Sequence, residues 1–161
     1  RLGWMIVPDA LADSVYRLQQ NMFINAPTLS QLAAVDCFKD ESIAELESHV
    51  ERYAKNREVI LKTLGDLDIP TSPCTGAFYI YADLGELAGD ASKGFGAEVL
   101  CQSLLEEKYV ALTPGTDFED PATGRGLERV RFSFPGTVED IEEAMERLRE
   151  WWPSWLRRIK P

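Results

Sequence analysis

The sequence contains few of the residue types from which most catalytic and metal sites are built. It has one histidine, His49, and three cysteines, Cys37, Cys74 and Cys101, which are widely spaced and form no Cys-x-x-Cys pair. An odd number of cysteines at such spacings fits neither a disulfide framework nor a zinc site. We therefore expect no bound metal, and we expect the protein to reside in a reducing compartment, the cytoplasm.

Long apolar runs and basic clusters are also missing. No apolar run approaches the length of a membrane span, and the first residues have neither an initiator methionine nor the layout of a signal peptide. With 17 Lys and Arg residues against 27 Asp and Glu residues, the formal net charge of -10 repels a phosphate backbone. We therefore predict that the protein binds neither membranes nor nucleic acid, and that the chain lacks its front part.

Helical patterns fill most of the first 66 residues. Residues 2–7 resemble a short apolar strand, and Pro8 then stands where a helix favours its first residue. Apolar spacing predicts a second helix over residues 29–37. Residues 42–45 form a capping box, Ser-Ile-Ala-Glu, which predicts the start of a long helix ending at Gly65.

A compact sheet domain is predicted from residue 67 onward. Prolines and glycines interrupt the chain there, and a final amphipathic helix after Thr137 continues into three tryptophans that we expect to pack on the body of the domain rather than on a membrane surface. The elements before that helix are an aromatic strand over residues 77–84, a helix over 95–105, a short strand over 109–112 and an arginine-bearing strand over 128–134.

The arginine-bearing strand presents two chemically different faces. Side chains alternate along a strand, so Val130, Phe132 and Phe134 share one face, while Arg129 and Arg131 share the other. A guanidinium group binds a carboxylate through two parallel hydrogen bonds, which a lysine cannot reproduce. Arg131 lies in mid-strand and is our first candidate for a ligand-binding residue. The alternative is that it pairs with one of the many acidic side chains.

Five short motifs, in this order and at these distances, resemble the C-terminal half of the fold-type I pyridoxal-phosphate aminotransferases of class I and II. The sequence otherwise shows no glycine-rich phosphate loop and no nucleophile with a base near it in sequence. The resemblance extends over essentially the whole chain. Its motifs are Arg1-Leu2-Gly3-Trp4, Asn25-Ala26-Pro27-Thr28, Gly76-Ala77-Phe78-Tyr79, Val110-Ala111-Leu112-Thr113-Pro114-Gly115 with Phe118, and Val130-Arg131-Phe132-Ser133-Phe134.

The resemblance implies an α/β fold, the C-terminal part of a PLP-transferase fold, with long connecting helices followed by a small α+β domain. Residues 1–27 would be the end of the large cofactor domain, a strand and a helix. Residues 28–66 would be the connecting helices. Residues 67–161 would be the small C-terminal domain, a sheet with helices packed on it.

The resemblance also implies roles for individual residues. Arg131 matches the family's arginine for the substrate α-carboxylate, and Arg1 matches the arginine on the cofactor phosphate. Gln20 stands where some family members that act on acidic substrates place an arginine. The lysine that carries the cofactor would lie upstream of Arg1, so we expect no catalytic residue in this chain and no activity from the chain alone.

The function that the resemblance implies for the full-length protein is transfer of an amino group from an amino acid to a 2-oxo acid, with pyridoxal 5'-phosphate as cofactor. The expected partners are these substrates, the missing N-terminal half of the same protein and a second copy in a homodimer. Two alternatives stay open at this point. One is a PLP-dependent lyase of the same fold, and the other is a non-catalytic, aminotransferase-like sensing or interaction module.

Overall fold

The computed structural model describes residues 1–160. Contacts between Cα atoms divide the chain into two compact units, of which one is Arg1–Ser48 and the other begins at His49. The division predicted from the sequence, at residues 27 and 66, stays a prediction. No helix within residues 1–160 combines the length and the apolar composition that a membrane span requires.

The first unit contains helices α1 (Asp9–Met22) and α2 (Thr28–Asp36) and the beginning of α3 (Asp40–Asp66), which confirms the predicted helices. The predicted capping box is wrong, because α3 begins two residues before Ser42. The Ser42 hydroxyl instead donates to the Asp36 carbonyl at 2.7 Å, outside the helix.

The predicted strand over residues 2–7 is also wrong, since these residues carry no regular secondary structure. A strand exists only where its backbone groups pair with a neighbouring strand, and no strand among residues 1–160 pairs with this segment. None of residues 1–48 is buried.

The second unit is built on a three-stranded antiparallel sheet with the order β1-β3-β2. Its strands are β1 (Tyr79–Asp83), β2 (Thr113–Pro114) and β3 (Arg129–Ser133). The predicted aromatic and arginine-bearing strands are confirmed. The predicted strand at residues 109–112 is wrong, because Tyr109 ends helix α4 (Ala97–Lys108) in the left-handed region, at φ 56°, and pairing begins only at Thr113.

One face of this sheet forms the core of the second unit. Ile80 and Ala82 of β1 and Val130 and Phe132 of β3 are at most 2% exposed, as strand alternation predicts. The buried apolar residues of α4, of the second half of α3 and of α5 (Val138–Ile159) belong to the same apolar cluster. Because the helices cover this face, the side chains of the opposite face are available for a site.

Two further features fix the ends of β3 and α5. The amide of Asn56, on α3, is fully buried and donates to the carbonyls of Phe134 and Gly136, both at 3.0 Å, just beyond the end of β3. Thr137 caps α5 by accepting a hydrogen bond from the Asp140 amide at 3.1 Å, which confirms the predicted helix start. The helix continues through its three tryptophans, which are buried on the body of the domain as predicted.

Candidate functional site

The face of the sheet that points away from the apolar core carries aromatic and charged side chains. Tyr79 and Tyr81 of β1 share this face with Arg129 and Arg131 of β3, because Tyr81 lies directly opposite Arg131 in the antiparallel register. Two arginines therefore stand two residues apart on one open surface.

Arg129 is fully engaged with acidic partners. Its Nε and Nη2 donate to Asp83 Oδ2 at 3.0 and 2.9 Å, and its Nη1 donates to Glu119 Oε1 at 2.8 Å. The same Glu119 oxygen accepts a hydrogen bond from the Tyr81 hydroxyl at 3.0 Å. The bonds from Arg129 and Tyr81 hold the pKa of the Glu119 carboxyl below its usual value. Arg129 is thus a member of a closed ion-pair network and has little capacity for a ligand.

Arg131 has a different environment. Its guanidinium carbon lies 4.3 Å from the ring centre of Tyr79 and 4.3 Å from that of Phe118. Its one hydrogen bond to residues 1–160 is a long one, from Nη2 to Thr113 Oγ1 at 3.4 Å, and its buried Nε has no partner. No carboxylate of residues 1–160 forms an ion pair with it. The alternative that Arg131 pairs with an acidic side chain of this chain is therefore wrong.

Stacking on aromatic rings leaves the hydrogen-bonding edge of a guanidinium group available. Its five N–H donors lie in the plane of the group, whereas Tyr79 and Phe118 stack against it. Arg131 is therefore a preorganised donor for a planar anion such as a carboxylate.

The chain matches a known protein family. The model of the family "Aminotransferase class I and II" matches residues 1–148. The chain belongs to this aminotransferase family. Its members use pyridoxal phosphate.

Individual aminotransferases show the same likeness. The chain is 41% identical, over 96% of its length, to a valine–pyruvate aminotransferase of Mycobacterium tuberculosis. It is 33% identical, over 93% of its length, to a (5-formylfuran-3-yl)methyl phosphate transaminase of Methanocaldococcus jannaschii. It covers 38% and 37% of these two proteins, so the chain spans a little over a third of the length of the curated relatives it matches.

A solved structure confirms the predicted fold class. The crystal structure of an aminotransferase from Mycobacterium tuberculosis superposes with a TM-score of 0.80 and 40% identity. The match covers 92% of this chain and 36% of that one. The helix-rich chain with its small antiparallel sheet corresponds to the C-terminal portion of the PLP-transferase fold.

Arg1, the other predicted site residue of this aminotransferase chain, lies in the first unit. It is exposed and borders a shallow pocket that also includes Trp4 and Phe38. Its guanidinium forms no hydrogen bond or ion pair with any of the residues 1–160. A cation whose donors are unoccupied fits the dianionic phosphate of the cofactor. The role of Arg1 stays a prediction.

The sequence singles out Arg131, and it includes Tyr79 and Phe118 only as members of family motifs, without their contacts to the guanidinium. Strand alternation alone would place Tyr79 on one of the two faces of the sheet, but its position beside Arg131 follows from the register between β1 and β3. Phe118 lies outside any strand, directly after a 3-10 turn, and no periodic pattern signals its contact with the guanidinium.

Proposed function

We propose that the whole protein is a pyridoxal-phosphate-dependent aminotransferase that moves an amino group from an amino acid to a 2-oxo acid, and that Arg131 binds the α-carboxylate of both. The observation that supports this role is a guanidinium without an acidic partner, with the centres of two aromatic rings each 4.3 Å from its central carbon, on the open face of the sheet. Membership of the aminotransferase family supports the proposed reaction, and the position of Arg131 supports the proposed mode of substrate binding.

Arg131 would act by binding and orienting the substrate. Two parallel N–H to oxygen bonds fix the plane of the carboxylate and, through it, the direction of the α-carbon and its amine. The rings of Tyr79 and Phe118 would hold the guanidinium in place through cation–π contacts. Thr113 adds a hydroxyl at the edge of the site.

Arg1 would hold the phosphate of the cofactor. When bound, pyridoxal phosphate supplies the electron sink that makes amino transfer possible. We propose that the lysine carrying the cofactor lies outside this chain, which leaves the chain inactive by itself. We also propose that the whole protein is a cytoplasmic homodimer, as the family resemblance implies.

The amino donor and acceptor are best sought among the substrates of the relatives. The valine–pyruvate aminotransferase is 41% identical to this chain, and other relatives carry the names of aspartate and aromatic-amino-acid aminotransferases. A first panel therefore consists of L-valine, L-aspartate and L-phenylalanine, each with pyruvate as acceptor. Formation of alanine together with an equal amount of the donor's 2-oxo acid identifies amino transfer.

The decisive experiment compares Arg131→Ala, Arg131→Lys and a control, Arg157→Ala, in the whole protein. Arg157 is an exposed arginine of α5, the helix that packs on the apolar side of the sheet. Loss of a bidentate charge-assisted pair of about 3 kcal/mol corresponds to a KM for the amino acid that is about 100-fold higher in Arg131→Ala. Arg131→Lys keeps the charge but not the fork, and an increase of about tenfold is expected.

The absorbance of bound cofactor separates the substrate role from a general loss of structure. We expect it to be unchanged in all three variants, because Arg131 is assigned to the substrate and not to the cofactor. Equal losses of cofactor and substrate binding in Arg131→Ala, or an unchanged KM, would remove Arg131 from the proposed role.

A further inference from the structure

We propose that Glu119 is a positioning residue for substrate binding, which holds the Phe118 ring against Arg131 by tying its own segment to the two long strands of the sheet. The inference rests on the proposed function, in that Arg131 is taken as the carboxylate-binding residue. It assigns a role in affinity to a carboxylate that does not touch the substrate.

The two rings that enclose Arg131 are held in different ways. Tyr79 belongs to β1 and is fixed by the ladder of hydrogen bonds between β1 and β3. Phe118 belongs to no strand, follows the 3-10 turn Gly115–Asp117, and its side chain is 53% exposed. The backbone amides of Phe118 and Glu119 both donate to the Gly115 carbonyl at 3.0 Å, which closes the turn but does not attach it to the sheet.

The start of the turn is attached to the sheet through β2, which it follows directly, and the attachment after Phe118 comes from the Glu119 side chain. Its Oε1 accepts from the Tyr81 hydroxyl of β1 at 3.0 Å and from Arg129 Nη1 of β3 at 2.8 Å. Arg129 is itself fixed by two bonds to Asp83. One carboxylate oxygen thus connects the segment that carries Phe118 to both strands, and its side chain is only 21% exposed.

Close packing at the start of the turn supports the same conclusion. A Cβ atom on Gly115 would lie 2.8 Å from the Tyr81 hydroxyl and 2.9 Å from Arg129 Cβ. The backbone of the turn therefore rests directly on the two residues that donate to Glu119. Gly115 is closely packed at one end of the segment, and Glu119 is hydrogen-bonded at the other. The segment therefore has little freedom to move Phe118 away from the guanidinium.

Loss of the Glu119 bonds would free the Phe118 ring while leaving Arg131 and its charge intact. The guanidinium would then lose one of its two cation–π contacts and would be held less firmly in the position that binds a carboxylate. The expected effect is weaker binding of amino acid and 2-oxo acid, with little change in the steps that follow binding.

The test uses Glu119→Gln and Tyr81→Phe in the whole protein, assayed with the most active amino acid of the panel and pyruvate. Glu119→Gln removes the charge, and with it the charge-assisted strength of both bonds that Oε1 accepts, and Tyr81→Phe removes a single hydroxyl. We expect KM to rise about five- to tenfold in each variant while kcat stays within about twofold, the pattern of lost binding that is uniform between ground and transition state.

Two comparisons distinguish positioning from a general structural effect. In a Phe118→Ala background, Glu119→Gln should raise KM no further, because residues that act through one another are not additive. The matched control is Glu107→Gln, which removes a carboxylate bonded to Arg158 and to Trp151 Nε1 on the helical side of the same unit. We expect this control to lower the unfolding temperature and to leave KM unchanged.

The inference is overturned if Glu119→Gln lowers the unfolding temperature without changing KM. It is also overturned if the increase in KM in the double variant with Phe118→Ala equals the product of the two single increases. These outcomes are distinct from failure of the proposed function, which Arg131→Ala would reveal by leaving KM unchanged. If Arg131→Ala raises KM and Glu119→Gln does not, the carboxylate-binding role stands and the positioning role of Glu119 is rejected.

Discussion

Tyr79 contacts Arg131 diagonally across the sheet, although the residue directly opposite Arg131 is Tyr81. The guanidinium carbon lies 4.3 Å from the centre of the Tyr79 ring, whereas the Tyr81 hydroxyl is turned to Glu119. Diagonal neighbours in an antiparallel pair are within reach of long and aromatic side chains. The two tyrosines of β1 thus have different partners: the Tyr79 ring contacts Arg131, and the Tyr81 hydroxyl donates to Glu119.

The Tyr79 ring is expected to contribute to substrate affinity through its stacking on Arg131. A cation–π contact of this kind is worth about 1–2 kcal/mol when it is shielded from water, so Tyr79→Leu should raise KM for the amino acid by about tenfold. Tyr79→Phe keeps the ring and serves as the control, with KM unchanged within about twofold. Steady-state kinetics of the two variants check this, and equal losses in both would show that the hydroxyl, not the ring, is required.

The contact between two turns of the second unit requires glycine at position 126. A Cβ atom there would lie 2.7 Å from the Thr116 amide nitrogen and 2.8 Å from the Gly115 carbonyl carbon, both backbone atoms. Gly126→Ala should therefore lower the free energy of unfolding by about 2–3 kcal/mol, measured by denaturant titration.

Gly65 provides the matched control for this substitution. It lies in α3 with no atom within 4 Å of an added Cβ. Because alanine restricts the unfolded chain and favours a helix, Gly65→Ala should raise the free energy of unfolding by about 0.5–1 kcal/mol. Destabilisation by both substitutions would contradict the assignment of the Gly126 effect to a backbone clash.

Tyr109 stores backbone strain at the end of α4. It adopts φ 56°, which costs a residue with a Cβ atom about 1–2 kcal/mol, and its side chain is 81% exposed. Tyr109→Gly should raise the free energy of unfolding by about 1 kcal/mol, since glycine adopts this conformation without a clash. Tyr109→Ala removes the same ring but keeps the strain, so a gain of equal size in both variants would show that the ring is the cause.

Stability should fall at alkaline pH because of the Cys101 thiol. Burial, with smaller contributions from Asp117 and Glu98, raises the pKa of Cys101 from 9.0 to about 12. A raised pKa means that the folded state retains the proton, so this contribution is complete below pH 9 and is lost as the pH rises from 9 toward 12.

The Cys101→Ala variant isolates this contribution. Between pH 9 and pH 10.5 the free energy of unfolding of the unmodified protein should fall by about 1.4 kcal/mol per pH unit more than that of the variant. The difference between the two proteins removes the titration of other groups, including Tyr81, whose pKa burial also raises. Parallel pH profiles would show that Cys101 ionises equally in both states.

Much of this fold follows from periodicity in the sequence, and the errors have physical causes. The 3.6-residue spacing of apolar side chains predicts α1, α2 and α3, and alternation predicts β3 with its buried and open faces. A two-residue strand such as β2 is too short to show any period. The apolar run over residues 109–112 was predicted as a strand because a left-handed helix end at Tyr109 has no signature without glycine or asparagine.

The sequence is sufficient to select Arg131 as a candidate site residue. It is not sufficient to predict which arginine of the strand forms ion pairs with acidic side chains. Arg129 and Arg131 are the same residue type on the same face, so the sequence does not say which of them is neutralised. The distinction depends on Asp83, which lies opposite Arg129 in the register, and on Glu119, which a turn brings back to β3. Such partners are distant in sequence, and only the folded chain selects them.

The tryptophans of α5 give the second unit a spectroscopic signature of its own. The rings of Trp151 and Trp155 stack with their centres 5.4 Å apart at an angle of 21°, and Trp152 is buried next to them. Aromatic rings that are held rigidly in an asymmetric environment produce near-ultraviolet circular dichroism. This signal disappears when fixed packing is lost, even if the helices persist. A loss of this band would therefore report a loss of fixed packing around α5.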